Sequence, residues 1–171
     1  MNSSFLAFPT SRKKIRSAVE LLRNACGMDD AKYFPVIQFL EWALCRVDSE
    51  MNLEIRPKDS MSNRYGMFVP EKHSIILRED VYEGAIAGNV RDRFTVAHEI
   101  GHYFMHNSKT VAFARLDEKN TVPKSMDIEW QANVFAGEML APPAIVRNLS
   151  ISEAVRDCGI SKKTAEIQRK C

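Results

Sequence analysis

Long apolar runs are missing from this sequence of 171 residues, and so is an excess of charge of either sign. No stretch approaches the roughly 20 consecutive apolar residues that a membrane-spanning helix requires. The 24 basic and 22 acidic residues leave a net charge of +2, which gives the chain as a whole no electrostatic footprint for nucleic acid. We therefore expect neither a membrane span nor direct binding of nucleic acid.

Cysteines are also few, and no two of them form a CxxC pair. The four lie far apart in the chain, at Cys26, Cys45, Cys158 and Cys171. This spacing fits neither a disulfide framework nor a zinc knuckle, so we expect free thiols and a cytoplasmic location. The mildly apolar start, 1–9, precedes the basic cluster 12–14, which is the reverse of a signal peptide. We expect it to be an ordinary terminus.

The periodicity of apolar positions predicts an α+β protein. Helices are expected where apolar residues recur three and four positions apart, at 12–25, 34–47, 90–106 and 126–140. Alternation predicts a short strand around Leu53 and Ile55 and a β-hairpin with strands at 66–70 and 74–77. Residues 80–88 are expected to be a connector, and 107–124 to be rich in loops. Because there is no repeat, linker or low-complexity segment, we expect a single domain.

The chemistry that the sequence suggests lies in His98-Glu99-Ile100-Gly101-His102. On a helix, residues four apart differ by only about 40° in direction and about 6 Å in height, so both imidazoles can face one metal ion. Glu99 lies on the flank of the same face, within reach of a water on that ion. The pattern predicts metal-assisted hydrolysis, with two neutral nitrogens on Zn²⁺ and Glu99 as the base. The alternative is a surface helix with two unrelated histidines.

The other side of this helix is expected to hold it in the core. Val96, Ala97, Ile100 and Phe104 lie opposite the histidines and are predicted to be buried. Gly101 lowers helix stability by about 1 kcal/mol relative to Ala, and close approach of another backbone is expected to offset that cost.

A catalytic zinc ion usually has a third protein ligand, and Glu129 stands out among the carboxylates. Asn133 follows it one helical turn later and is placed to orient a ligand. The other interpretation of Glu129 is an acid that favours the helix dipole. Asp127 and Glu138 are weaker candidates for the third ligand.

Two further histidines are not expected to be metal ligands. His106 is about 12 Å along the helix axis from His98, too far to share a metal with it, so a supporting or helix-end role is expected. His73, between the two hairpin strands, is predicted to be a solvated turn residue. The same ligand set would also accept Mn²⁺ or Fe²⁺.

Two segments closely resemble the ImmA/IrrE family of metallopeptidases. They are Arg93-Phe-Thr-Val-Ala-His-Glu-Ile-Gly-His-Tyr-Phe-Met-His106 and Glu129-Trp-Gln-Ala-Asn-Val-Phe-Ala-Gly-Glu-Met-Leu-Ala-Pro142. The resemblance covers roughly 66–142, and the two motifs are specific in combination. Family members often have Leu-Met-Pro where this chain has Leu140-Ala141-Pro142. The helical segment 1–47 lies outside the resemblance.

The resemblance implies a zincin-like fold, in which a small, mostly antiparallel sheet packs on helices that include the HExxH helix. It implies that His98, His102 and Glu129 bind Zn²⁺ and that Glu99 is the catalytic base. It also implies a typical biological role, which is to cleave or inactivate a helix-turn-helix repressor in mobile-element induction, stress response or a toxin–antitoxin pair. We expect N-terminal helices at 1–48, a catalytic core at 49–142 and short helices at 143–171.

The sequence offers alternatives for the substrate site, the oxyanion donor and the C-terminal segment. The edge of the hairpin could pair with an extended substrate, and Tyr65, Tyr103 and His106 are candidates to stabilise the oxyanion. Residues 153–167 have the cadence of a helix-turn-helix, with Gly159 at the turn, although DNA binding is the less favoured interpretation. The competing functions are a regulator that binds a repressor through a metal-shaped surface without cleaving it, and a toxin that acts on cellular proteins.

Overall fold

A computed structural model of the protein describes residues 3–106, 111–115 and 122–171. Its strands are β1 (Ser3–Ala7), β2 (Asn52–Arg56), β3 (Gly66–Val69), β4 (Ser74–Arg78) and β5 (Val111–Arg115). Its α-helices are α1 (Arg12–Ala25), α2 (Val36–Gln38), α3 (Cys45–Val47), α4 (Glu79–Ile86), α5 (Val90–Met105), α6 (Ile128–Leu140), α7 (Pro143–Val146), α8 (Ile151–Cys158) and α9 (Lys162–Lys170). A π-helical segment, Phe39–Leu44, joins α2 to α3, so the predicted helix 34–47 is one helical run with a wider turn at its centre.

The main sheet is mixed and has the strand order β2-β4-β3. β4 is parallel to β2 and antiparallel to β3. All five residues of β4 are buried, as its central position requires. The α+β class is confirmed and the predicted hairpin is present. The prediction of a mostly antiparallel sheet is wrong for this sheet, because the second strand of the hairpin, rather than the first, lies beside β2.

A separate two-stranded ribbon pairs β1 with β5 in antiparallel register, with Ser3 opposite Arg115. Residues 3–7, predicted only as a terminus, therefore form a strand. Residues 111–115 form another within the segment predicted to be loop. The parts of that segment at 107–110 and 116–121 lie outside the described residues.

Helix α4 replaces the connector predicted at 80–88. Glu79 and Asp80 lie in its first turn, where acidic side chains favour the helix dipole, and Val81 and Ala85 are buried one turn apart. Gly84 was one reason to predict a loop here, but a glycine is needed at this position so that helix α5 can pack closely against α4. A Cβ atom at this position would lie 2.0 Å from an Asp92 carboxylate oxygen in α5.

One cluster of buried apolar side chains extends from Ile15 in α1 to Ala165 in α9. Helices α5 and α6 pack against each other at its centre, with β3, β4 and α4 on α5 and with α1 on α6. The N-terminal helix α1 is also held by charge, because Arg12 and Arg16 each donate to the buried carboxylate of Glu138 at 2.9 Å. The division into 1–48, 49–142 and 143–171 stays a prediction. Within the described part of the chain, every helix is too short or too polar to cross a membrane.

Candidate metal centre

Helix α5 carries the two histidines of the HExxH motif on one face. The helix begins after Asn89, whose side chain accepts hydrogen bonds from the backbone amides of Arg91 and Asp92. One turn apart, the rings of His98 and His102 have centroids separated by 4.5 Å, and their Nε2 atoms lie 2.9 Å apart. The spacing therefore places both imidazoles side by side, as the sequence predicted.

The core side of α5 agrees with the prediction at three of four positions. Val96, Ala97 and Ile100 are fully buried. Phe104 is 40% exposed, so its predicted burial is wrong; its ring stacks on that of Phe135 in α6. The two helices approach closely at Gly101, where a Cβ atom would lie 3.2 Å from the carbonyl oxygen of Ala132.

Helix α6 places Glu129 beside the histidine pair. Asp127 caps this helix by accepting hydrogen bonds from the backbone amides of Glu129 and Trp130. From the first turn, the Glu129 carboxylate reaches His98 Nε2 at 3.2 Å and His102 Nε2 at 3.4 Å. One candidate ligand atom from each of these three residues lies within 4.8 Å of the others.

The two other carboxylates considered as ligands have different partners. Asp127 is occupied as the helix cap. Glu138 is bound by Arg12 and Arg16 on the far side of α6, so it is not available to a metal held by His98. Of the candidate acids, the structure brings only Glu129 to the histidine pair.

A chain of hydrogen bonds determines which nitrogen of His102 carries the proton. The Gln131 amide nitrogen donates to the carbonyl oxygens of Phe8 and Ser125 at 3.0 and 2.8 Å, so its Oε1 is left to accept from His106 Nε2 at 2.9 Å. Neutral His106 then has a lone pair on Nδ1, and this lone pair accepts a hydrogen bond from His102 Nδ1 at 2.8 Å. The proton of neutral His102 is therefore on Nδ1, and its Nε2 is unprotonated. Burial lowers the pKa of His106 to about 4, which keeps the ring neutral near pH 7.

His98 is held in the same tautomer by Asn133. Its Nδ1 donates to the Asn133 side-chain oxygen at 3.1 Å, which leaves its Nε2 unprotonated. The geometry predicted for Asn133 is thus present. The support for His102 comes instead from His106, in the supporting position expected for it.

Three groups that can donate a lone pair to a metal ion therefore converge, with no hydrogen atom between them. They are the Nε2 atoms of the two imidazoles and the carboxylate of Glu129. Their separations of 2.9, 3.2 and 3.4 Å are near the edge of a tetrahedron with zinc–ligand bonds of about 2.1 Å, which is about 3.4 Å. A glutamate carboxyl is ionised near neutral pH, so Glu129 adds a negative charge to the two neutral imidazoles. This donor set fits a divalent cation of the Zn²⁺ type.

Glu99 lies beside this group and is buried, with 6% of its surface exposed. Burial raises the pKa of its carboxyl, while the two histidines and the backbone amide of Phe68 act in the opposite direction. Gly66 in β3 makes room for it, because a Cβ atom there would lie 2.9 Å from Glu99 Cγ. Glu99 is therefore confined between α5 and β3, with a raised pKa suited to a general base.

His73 lies in the predicted turn with 38% of its side chain exposed, but it also makes a contact that the sequence did not predict. It adopts a left-handed backbone conformation, with φ of 51°, and its Nε2 contacts Asp48 at 2.6 Å. The Tyr103 hydroxyl donates to the same carboxylate, and hydrogen bonds from Tyr103 and His73 lower the pKa of Asp48 to about 2. Tyr103 is thus engaged elsewhere, whereas Tyr65 lines the cleft that contains His98 and Glu99.

Sequence reasoning missed Gln131 and Gly66. Both act through partners distant in sequence: the carbonyl of Phe8 for Gln131, and the Glu99 side chain for Gly66. The one local signal for Gln131 was a polar residue on the core-facing side of an apolar helix.

The hydrogen-bond chain yields a prediction for His106→Ala. The variant removes the acceptor for His102 Nδ1–H, so His102 loses the contact that fixes its tautomer and ring orientation. Loss of such a partner typically weakens metal binding by about 10–100-fold. Competition with a chromogenic zinc chelator measures the effect. His73→Ala is the matched control, since His73 contacts Asp48 rather than a candidate ligand. Equal zinc affinity in both variants would show that His106 does not support the site.

Comparison with known families finds a match for this part of the chain. Residues 51–150 match the family model described as the IrrE N-terminal-like domain, Peptidase_M78. No curated protein matches the chain. The matched range contains His98, Glu99, His102 and Glu129, together with the supporting residues His106, Gln131 and Asn133.

Proposed function

Since the chain belongs to the IrrE N-terminal-like (ImmA/IrrE) peptidase family, we propose that it is a zinc-dependent metallo-endopeptidase. The observation that carries this proposal is the convergence of three unprotonated donors, from His98, His102 and Glu129, next to the buried carboxylate of Glu99. In the proposal, these three residues hold the zinc ion and Glu99 is the catalytic base.

In the proposed mechanism, each residue near the zinc site has a separate role in hydrolysis. When bound, zinc supplies Lewis-acid chemistry, acidifying water and polarising a peptide carbonyl. Glu99 takes the proton of the attacking water and delivers it to the leaving amine nitrogen. Asn133 and His106 keep His98 and His102 in the tautomer that the metal requires. Gly66 leaves the space in which the Glu99 side chain lies.

The substrate is proposed to lie along β3. This strand is at one end of the order β2-β4-β3, and its amide at Phe68 faces Glu99. An extended peptide that pairs with an edge strand gains main-chain hydrogen bonds with little demand on its sequence. The scissile bond would then pass directly beside Glu99.

Tyr65 is our candidate for the oxyanion donor. It lines the same cleft as His98 and Glu99, and a hydrogen bond from the Arg91 guanidinium, which lies over its ring, lowers its pKa. The other two candidates are engaged, Tyr103 with Asp48 and His106 with His102.

Tyr65→Phe is therefore expected to lower kcat by about 100-fold, the usual loss when one oxyanion donor is removed, with KM little changed. Steady-state kinetics on a quenched fluorescent peptide measure both constants. Tyr103→Phe is the matched control and should keep kcat within a few fold. A Tyr65→Phe variant with wild-type kcat would assign the oxyanion to another group.

The protein substrate is proposed to be a helix-turn-helix repressor or antitoxin, and the place of action the cytoplasm. The test is to incubate zinc-loaded protein with a helix-turn-helix protein encoded next to it and to measure intact masses. Two fragments that add up to the substrate plus one water, absent after treatment with a chelator, are expected. An intact substrate that still loses its operator binding would instead favour the non-proteolytic regulator.

A further inference from the structure

A second, larger cleft adjoins the one that contains His98 and Glu99. The smaller cleft has a volume of about 300 Å³ and the larger one about 650 Å³. They have Phe94, Thr95 and Asn133 as common walls, so one trough runs from the candidate catalytic residues to α9. The larger volume lies in the range of sites that enclose a ligand larger than a single side chain.

The wall of the larger cleft is mostly apolar. α5 contributes Val90 and Phe94, α6 contributes Trp130 and Val134, and α9 contributes Ile167. Ile167 is 43% exposed, an apolar side chain that the described part of the chain leaves half uncovered. Such a wall favours large apolar side chains in whatever occupies the cleft.

Among the described residues, the charged side chains that line the larger cleft all have one sign. Arg12, Arg91 and Lys163 line it, and its lining contains no carboxylate from the described residues. Arg12 is held by Glu138 at 2.9 Å, a carboxylate that it shares with Arg16, so Arg91 and Lys163 are the side chains placed to act on a ligand. Both are exposed, and Arg91 lies over the ring of Tyr65, where the two clefts meet. An acidic ligand is the complement of this rim.

We propose that the larger cleft binds the part of the substrate next to the scissile bond, and that it selects segments with a large apolar residue bordered by Asp or Glu. The apolar side chain would contact Phe94, Trp130 and Ile167. The carboxylates would lie near Arg91 and Lys163. This inference rests on the proposed function, because it names the class of peptide that the proposed peptidase accepts.

The same geometry gives a role to the helix-turn-helix cadence of the C-terminal segment. Gly159 adopts the left-handed conformation, with φ of 62°, between α8 and α9, so the two helices are joined as the sequence suggested. However, Lys163, Thr164 and Ile167 of α9 line the trough that leads to Glu99. A nucleic acid backbone would also match the basic rim, but not the apolar wall, so the observations favour a peptide.

The test measures peptide binding to zinc-loaded Glu99→Gln protein, in which the catalytic base is absent. Two fluorescein-labelled peptides of equal length have the same Leu-Phe-Leu core, one flanked by glutamates and the other by lysines. Fluorescence anisotropy gives each affinity. The chain has two tryptophans, so Trp42→Phe in this background leaves Trp130 as a reporter inside the cleft.

We expect the acidic peptide to bind about tenfold more tightly than the basic one and to change the Trp130 emission. Lys163→Glu should weaken the acidic peptide by about fivefold, the scale of one exposed charge pair. Lys170→Glu is the matched control, because it makes the same charge change on the same helix outside the cleft. It should leave the affinity unchanged, and both variants should keep the unfolding midpoint.

Several results would overturn the proposal: equal affinities for the two peptides, an unchanged Trp130 emission, or equal effects of Lys163→Glu and Lys170→Glu. Displacement of the acidic peptide by a short labelled oligonucleotide would assign the cleft to nucleic acid instead. The binding test uses Glu99→Gln protein and does not depend on hydrolysis. A wild type that fails to hydrolyse any peptide would therefore contradict the proposed peptidase function, whereas the peptide affinities alone test the proposed role of the larger cleft.

Discussion

Replacing Glu99 with Gln is expected to lower peptide hydrolysis by about 10²–10⁴-fold, the usual contribution of a positioned general base. Gln has the size of Glu, so it fits the buried space beside Gly66, but its amide cannot accept the proton of the attacking water. Zinc affinity should stay close to that of the wild type, because Glu99 is not among the converging donors. Steady-state hydrolysis and chelator competition on the same preparation measure the two quantities.

The Glu99→Gln variant also distinguishes the proposed peptidase from a non-proteolytic regulator. A regulator that only binds its repressor through a metal-shaped surface would keep its biological effect in Glu99→Gln, whereas a peptidase would lose it. Glu79→Gln, an exposed acid in the first turn of α4, is the matched control for the charge change. Full derepression by Glu99→Gln would contradict the assignment of Glu99 as the base.

Arg93→Ala is expected to lower the free energy of unfolding by about 3–5 kcal/mol, the range for loss of a buried, hydrogen-bonded side chain. Arg93 is 1% exposed, and its guanidinium lies 3.7 Å from the ring centre of Tyr33. It donates to the carbonyl oxygens of Phe34, Cys158 and Gly159, at 3.0–3.3 Å. Removing it leaves those carbonyls unsatisfied around a cavity.

Urea unfolding followed by circular dichroism measures this loss. Arg91→Ala is the matched control, because Arg91 is on the same helix but exposed, and it should change the free energy by no more than about 0.5 kcal/mol. Arg93 connects α5 to the segment before α2 and to the turn between α8 and α9, so we expect one cooperative transition that shifts as a whole. Two separate transitions would contradict the proposal of a single domain for 1–171.

The two helices that carry the candidate metal centre, α5 and α6, were predicted from local sequence. The run 90–106 has the apolar spacing of a helix and a polar cap at Asn89, and α5 is observed at Val90–Met105. The helix predicted at 126–140 is observed at Ile128–Leu140, with Asp127 as its cap. Both helices are long, α5 has one buried side and α6 is mostly buried, and these are the cases in which periodicity is most informative.

The parts that the sequence did not reveal depend on contacts between distant segments. Gly84 lies within a helix and leaves room for the Asp92 side chain, an arrangement that no local pattern signals. The pairing of β1 with β5 joins segments about 100 residues apart, as seen in Ser3 opposite Arg115. A hairpin predicts its own pairing, but it does not predict which of its strands receives β2. These are tertiary effects that override local propensity.

In the candidate metal centre, too, the features set by local sequence were predicted and those set by distant contacts were not. The i, i+4 spacing was sufficient to place His98 next to His102, because helix geometry alone fixes it. The sequence only partly predicted the support through His106 and Gln131, since one of the two carbonyls that accept from Gln131 belongs to Phe8, 123 positions away. The contact between His73 and Asp48 was missed for a similar reason, because Asp48 precedes His73 by 25 positions.

The most direct test of the account is the metal content of protein purified without added metal, measured by elemental analysis on the wild type and on Glu129→Ala. We predict about one zinc ion per wild-type chain, and a large loss in Glu129→Ala, because this variant removes one of the three donors that converge in the structure. A wild type without metal even after zinc is supplied would contradict the account, and so would a Glu129→Ala variant that holds zinc as tightly as the wild type.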